Sequence, residues 1–337
     1  MRIATTPLVS IIIPCYNGEE YVAEAIQSAL DQTYPNFEVI VIDDGSTDGS
    51  LEVIRSFGGA IRWETGPNRG ACAARNRGIE LARGELIQFL DADDVLSLRK
   101  LERQVDAAIL HRPAITFCYY DILQTWGERK RLRPISTGED PVVIALSNNF
   151  ATLAPLHWKE QLNAVGGFQE HLPYTEEWDL HLRLACNGIP FVMFPENLFT
   201  VRRRMGGLGG GIVKHLDQRE GILWDAYRDL EQKGQLTSGR REAFAGRMAK
   251  DARLYFRHGA REKALHNFQA AREMHPSGGL SIAYRTWLGR RAHHLLGPTT
   301  TNRLDYLRRQ ILRLCPWRVY RKIVRDVHHV HQVGYPQ

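Results

Sequence analysis

Apolar residues in the first hundred positions fall into two alternating patterns. "LVSIII" (Leu8–Ile13) and "FEVIVIDD" (Phe37–Asp44) are short, continuous and rich in β-branched residues, the pattern of strands buried on both faces. Between them Val22, Ile26 and Leu30 recur at helical spacing and predict a helix over Glu19–Leu30. The alternation continues with a helix over Asp48–Phe57, a strand in "AIRWE", a helix over Ala71–Ala82 and a strand in "ELIQFLD". Such alternation through short connections predicts an α/β architecture, a parallel sheet with helices on its faces. Ligands of such sheets bind beyond the carboxyl ends of the strands. Asp43-Asp44 and Asp91–Asp94 both fall at such ends.

Further along, a helix is expected over Ser97–Ala108, then the apolar stretch "AITFCYY" and a basic surface loop from Glu128 to Asp140. "FATLAPLHW", the helix-like "KEQLNAVGG" and "YTEEWDLHLRLA" follow, the last with Trp178, Leu182 and Ala185 on one helical face. "RRRMGGLGGG" (Arg202–Gly211) reads as a flexible cationic loop. Strand signals vanish after it, which sets a domain of residues 1–211 and an all-helical region of residues 212–337. Tyr255–Pro276 has the spacing of a tetratricopeptide-like helical hairpin, but one unit is too little for a solenoid. "LRRQILRLCPWRVYRKIVRDVHHVH" is a basic amphipathic segment that fits either an anionic membrane surface or the preceding helices.

Composition narrows the classes. The 337 residues, 43% hydrophobic and 24% charged, suit a soluble globular protein of two units. A net charge of +6 favours anionic partners. The basic residues lack an aromatic–basic strand motif, so nucleic acid is not an expected partner. Five cysteines without CxxC spacing read as reduced thiols. With no bilayer-spanning run and no signal-peptide pattern, the expected place is the cytoplasm, with the inner face of the plasma membrane open to the basic C-terminal segment.

Three acidic groups carry the candidate chemistry. In "IDDGSTDGS" a local reading has Gly45 turning the chain and Ser46 or Thr47 capping the next helix, which leaves Asp43 and Asp44 for a nucleobase or a ribose. In "LDADD" an extended strand would project Asp91 and Asp93 to the same side, where two carboxylates need a counter-charge. A hard divalent cation completed by substrate phosphates would provide it. In "TEEWD" the acids Glu176, Glu177 and Asp179 open a helix, where the dipole favours them, yet hydroxyl activation also needs one carboxylate close to the reacting carbon.

Taken together, "VSIIIPCYNGEEYVAEAIQSALDQTYPNFEVIVIDDGSTDGS" and "NRGACAARNRGIELARGELIQFLDADD" closely resemble the family 2 glycosyltransferases of GT-A fold. The resemblance runs from about Leu8 to Arg204. It implies a Rossmann-like, mostly parallel sheet with an all-α C-terminal extension. It also implies a UDP- or GDP-type nucleotide-diphospho-sugar donor, Mn²⁺ or Mg²⁺, and inversion at the anomeric carbon. By position in that pattern Pro14, Tyr16, Asn17 and Glu19 line the base and ribose pocket, Asp44 contacts the base and Asp43 supports it. Asn68 and Arg75 lie in the stretch that closes one wall. Asp91-Ala92-Asp93 matches the DxD element, with Asp93 as metal ligand and Asp91 on the ribose side.

Two departures stand out. The family's usual Glu-Asp pair appears as Glu176-Glu177 before Trp178, which makes Glu177 the general base and puts Glu176 and Trp178 on the acceptor side. A Tyr-Arg-x-His element is replaced by Val201-Arg202-Arg203-Arg204, whose guanidinium groups would neutralise the leaving diphosphate. The QxxRW signature of processive synthases is absent, so the implied reaction is one sugar passed to a glycan or lipid-linked saccharide in envelope, capsule or exopolysaccharide synthesis. The alternative is a catalytically degenerate nucleotide-binding module. A dehydrogenase is excluded because "PCYNGEE", not GxGxxG, follows the first strand.

Overall fold

Four strands seed the fold: β1 (Val9–Cys15), β2 (Phe37–Asp43), β3 (Arg62–Thr65) and β4 (Leu86–Phe89), of which all but the partly exposed β3 consist mostly of buried residues. They run parallel in the order β3-β2-β1-β4. The computed structural model describes residues 6–123, 139–202 and 211–275. Three helices connect these strands: α1 (Val22–Leu30), α2 (Ser50–Ser56) and α3 (Ala71–Leu81). Ile11, Ile12 and Ile13 are fully buried, so β1 is covered on both faces. α3 lies close on β1 because Gly78 has no side chain there; a Cβ would stand 2.2 Å from Ile12 Cγ2.

The sheet continues through β7 (Pro155–Trp158), β6 (Ile115–Leu123), β8 (Phe191–Arg202) and the two-residue β5 (Val95–Leu96), in that spatial order. β7 is antiparallel to both β4 and β6, β6 is parallel to β8, and β5 is antiparallel to β8. The four strands β1–β4 run parallel as the alternation predicts, and the whole sheet is mixed because β7 and β5 enter it antiparallel. β8 has no counterpart in the sequence pattern. Its pairing with β6 jumps from Cys118–Phe194 to Tyr119–Asn197, so Pro195 and Glu196 form an irregularity that breaks the periodicity. The helices of this half are α4 (Lys100–Leu110), α5 (Pro141–Ser147), α6 (Lys159–Ala164) and α7 (Glu176–Cys186). α5 is capped by Asp140, which accepts the Val142 N–H. Of the loop expected over Glu128–Asp140, all but the last two residues lie outside the described residues.

Two compact units divide between Gly209 and Gly210. In the second, α8 (Ile212–Gln232), α9 (Ser238–Arg257) and α10 (Arg261–Met274) are the only elements among the described residues. α9 and α10 pack as a hairpin, but its first helix lies mostly before the Tyr255–Pro276 stretch expected to hold both helices, which contains only the end of α9 and then α10. Leu216, Tyr255 and Ala264 pack together between the three helices. The Tyr255 hydroxyl donates to Asp217 at 2.8 Å, which also receives Lys263 at 2.6 Å. The basic amphipathic segment and Cys315 lie outside the described residues; the four described cysteines are free and buried. No helix among the described residues is long and apolar enough to cross a membrane.

Candidate active site

Parallel strands place the loops after β1, β2, β3 and β4 at one edge of the sheet. Asp43 sits at the end of β2, where it accepts the Thr65 hydroxyl at 2.6 Å and the Ser46 N–H at 3.3 Å. Asp44 accepts the N–H groups of Arg69 and Gly70, both at 2.8 Å, at the start of α3. Its carboxylate thus meets the positive end of that helix and holds the turn containing Asn68. Gly45, at φ +75°, lets the β2 loop press on the same turn; a Cβ there would lie 2.7 Å from the Asn68 N.

Asn17, at φ +49°, and Glu19 tie the β1 loop to the β2 loop. The Asn17 side-chain oxygen accepts the Thr47 N–H at 2.8 Å, its own N–H donates to Ser46 Oγ at 3.0 Å, and Glu19 accepts the Gly49 N–H at 2.5 Å. Ser46 and Thr47 are thereby engaged across the loops and do not cap α2, which begins at Ser50 after the Asp48–Ser50 hydrogen bond. Pro14 is half-buried at the end of β1, and Tyr16 beside it is 52% exposed. Ala92 comes close to this loop, 3.6 Å from where a Cβ on Gly18 would be.

Asp91–Asp94 do not continue β4. The strand ends at Phe89, and the Asp94 N–H closes a turn on the Asp91 carbonyl at 3.0 Å, so strand alternation does not set the directions of Asp91 and Asp93. The crowding is relieved residue by residue. Asp91 receives the Arg75 guanidinium at 2.8 Å. Asp94 is buried, accepts the Arg202 N–H at 2.7 Å, and its carboxyl is pushed up to about 8 by burial and by Asp91. Asp93 is half-buried on the turn. No group of three or more His, Cys, Asp or Glu among the described residues could cage a metal. One carboxylate on an open turn, completed by substrate oxygens and water, nonetheless suits Mg²⁺ or Mn²⁺, which are held by one or two carboxylates and phosphates rather than by an all-protein cage.

Arg75 is 5% exposed. It reaches Asp91 on one side and Glu176 Oε1 at 3.3 Å on the other, under the Phe168 ring at 5.3 Å. Burial opposes its charge, but Asp91 and Glu176 hold the guanidinium protonated beyond its ordinary range. Glu177 follows in the first turn of α7. Its carboxyl is pushed up to about 7, first by burial and then by Glu176, with Arg75 pulling the other way. α7 is entered through Thr175 at φ +58°, an outlying conformation for a β-branched residue that no sequence signal announces. Phe168, equally unannounced, is fixed to α3 because Asn76 exchanges hydrogen bonds with its N–H and carbonyl at 2.8 and 2.9 Å.

Two sequence expectations change. Trp178 is not on an acceptor surface: it is 0% exposed, and its indole N–H donates to the Ala145 carbonyl at 2.9 Å, locking α7 to α5. The Arg202 side chain pairs with Glu24 at 2.7 Å and lies over the Tyr21 ring at 4.5 Å, both next to or on α1. Arg203 and Arg204 lie outside the described residues.

Sheet-edge loops, an acidic turn and the carboxylate-bearing start of α7 thus meet around Arg75, and comparison with known proteins shows the class. The glycosyl transferase family 2 model matches residues 10–167. Glycosyltransferase GlyG of Streptococcus pneumoniae serotype 4 is 39% identical over 228 residues, 60% of this chain and 72% of that protein. The putative teichuronic acid biosynthesis glycosyltransferase TuaG of Bacillus subtilis is 36% identical over 127 residues, 36% of this chain and 50% of that protein. An uncharacterized glycosyltransferase of Rickettsia felis is 31% identical over 234 residues; the match takes in 66% of this chain but spans only 38% of that relative's length. Among solved structures, S. aureus TarS 1–349 in complex with UDP superposes with a TM-score of 0.61 at 16% identity, covering 98% of this chain and 94% of that one. The mannosyltransferase PcManGT of Pyrobaculum calidifontis, in complex with GDP-Man and Mn²⁺, gives 0.55 at 18% identity, covering 86% and 81%. The chain belongs to the family 2 glycosyltransferases and has the GT-A fold.

Proposed function

We propose that the protein is an inverting transferase that moves one sugar from a UDP- or GDP-type nucleotide-diphospho-sugar to a hydroxyl of a glycan or lipid-linked saccharide, in envelope polysaccharide synthesis. The nucleotide meets the edge formed by Pro14, Tyr16, Asp44 and the Asn68 turn, with Asp91 towards the ribose. Asn17, Glu19 and Asp43 hold the loops that shape that edge. Asp93 would hold a divalent cation, which when bound supplies charge neutralisation at the diphosphate. Arg203 and Arg204 are assigned to the same anion, and the basic C-terminal segment to an anionic membrane surface.

Glu177 accepts the proton of the acceptor hydroxyl as its oxygen attacks the anomeric carbon from the face opposite the nucleotide. The C–O bond to the sugar forms as the bond to the diphosphate breaks, and no covalent sugar–enzyme intermediate is needed. One observation carries this reading: Glu177 stands in the first turn of α7 beside Glu176, which Arg75 ties to Asp91 on the acidic turn. Burial and Glu176 push its carboxyl up to about 7, in keeping with a base working near neutrality. Glu177→Gln keeps the shape and removes the base. Turnover should fall by about 10²–10⁴-fold with nucleotide binding intact, measured by nucleotide release and by calorimetry. Near-native turnover in that variant rejects the assignment.

A further inference from the structure

Arg75 grips two segments that are remote in sequence. From α3 its two terminal nitrogens divide between Asp91, on the turn after β4, and Glu176, at the start of α7, at 2.8 and 3.3 Å. The next residue, Asn76, clasps the Phe168 backbone, and the Phe168 ring covers the Arg75 guanidinium. One turn of α3 therefore fixes the nucleotide-side acidic turn, the Gly167-Phe168 turn and the base helix relative to one another. A planar fork with separated donors can satisfy two carboxylates at once, whereas an ammonium acts as a single point charge.

We infer that Arg75 is a positioning residue that couples Asp91 to α7 and so sets the placement and charge environment of Glu177; this rests on reading Glu177 as the base. The groups facing Glu177 support it. Glu176 on its own helix and Asp91 across the site both oppose its ionisation, and the Cys72 thiol on α3 is itself pushed up to about 12, first by burial and then by Glu176. Arg75 is the positive charge set against these acids. Its loss would leave Asp91 and Glu176 uncompensated, free Glu176 to move, and make Glu177 harder to ionise.

The test is a carboxyl-carbon NMR titration of glutamate-labelled full-length protein, with the Glu177 signal assigned through Glu177→Gln. Arg75→Met should move the Glu177 midpoint up by about one pH unit or more, a tenfold change in its ionisation constant, and Arg75→Lys should restore part of that shift. A folded Arg75→Met protein, judged by circular dichroism, whose Glu177 midpoint matches wild type would overturn the proposal. Should the methionine variant not fold, the lysine variant decides: a midpoint above that of wild type supports the coupling and an unchanged one overturns it. Near-native turnover in Glu177→Gln would instead remove the base assignment and leave the measured coupling standing, so the two failures are distinguishable.

Discussion

The two halves of the sheet unit solve their polar problems in opposite ways. On the β3-β2-β1-β4 side, polar side chains are spent on loops: Asn17, Glu19, Asp43, Asp44 and Asp48 each accept loop N–H or hydroxyl groups at the sheet edge. On the β7-β6-β8-β5 side they are sunk into the core. Lys100, Gln104, His157 and His181 are all buried, and the two imidazoles stack with centroids 5.6 Å apart. Burial pushes both histidines well below their ordinary range, so the imidazoles are neutral packing elements rather than acids or bases, and burial lowers Lys100 as well. A loop built from short-range hydrogen bonds can cradle a variable ligand; a buried polar core fixes where α7 stands. The site lies where these strategies meet, at Arg75.

The largest expected effect breaks the loop strategy. Gly45→Ala places a Cβ 2.7 Å from the Asn68 N and 3.0 Å from the Gly66 carbonyl, in a left-handed conformation that alanine resists. Strain and clash together should cost about 2–4 kcal/mol, read by urea denaturation. Calorimetry with UDP or GDP and Mn²⁺ should show weakened binding as the Asp44–Asn68 arrangement opens. A variant with unchanged stability would mean that the loop contacts are slack.

How much of this was legible in the sequence follows the same division. Strands β1, β2 and β4 announce themselves because aliphatic runs such as Ile11–Ile13 have one plausible environment, and the motifs sit on loops only a few residues long. The place of Asp44 just past the end of β2 was legible, but its hydrogen bonds to the Arg69 and Gly70 N–H groups were not, because they depend on a turn set by tertiary packing. The second half hides its order. β7 enters antiparallel between β4 and β6, and the Pro195 irregularity disguises β8. Trp178 misled for a physical reason: its place directly after Glu176-Glu177 put it on the acceptor side, whereas its indole closes a contact with α5 that no spacing rule encodes.

Trp178→Phe sharpens the contrast from the other side. It removes the donor to the Ala145 carbonyl, one of the last carbonyls of α5, and leaves a small void in a fully buried position. The expected cost is about 2 kcal/mol by the same denaturation measurement, from one lost hydrogen bond and partial cavity formation. Nucleotide binding should be unchanged, since the perturbed helices lie in the half proposed to face the acceptor. Loss of UDP or GDP binding in a folded Trp178→Phe protein would show that the halves do not divide the work in this way.

The smallest effect is a pH dependence at the junction. The Glu177 carboxyl is raised to about 7 by burial and by Glu176, above the ordinary range it keeps when unfolded. A raised carboxyl pKa means that the folded state binds the proton more tightly, so this contribution is fully present below about pH 4.5 and is lost as pH rises through about 7. Glutamine cannot ionise, and the Glu177→Gln protein therefore escapes that loss. Because Glu177 is only half-buried, solvent screening should hold the difference to about 1 kcal/mol. Thermal melts at pH 5 and pH 8 should show the variant gaining about 2–4 °C on wild type over that interval. Parallel melting curves across it would mean that Glu177 titrates as an ordinary surface acid, and that the two halves meet without shaping the base.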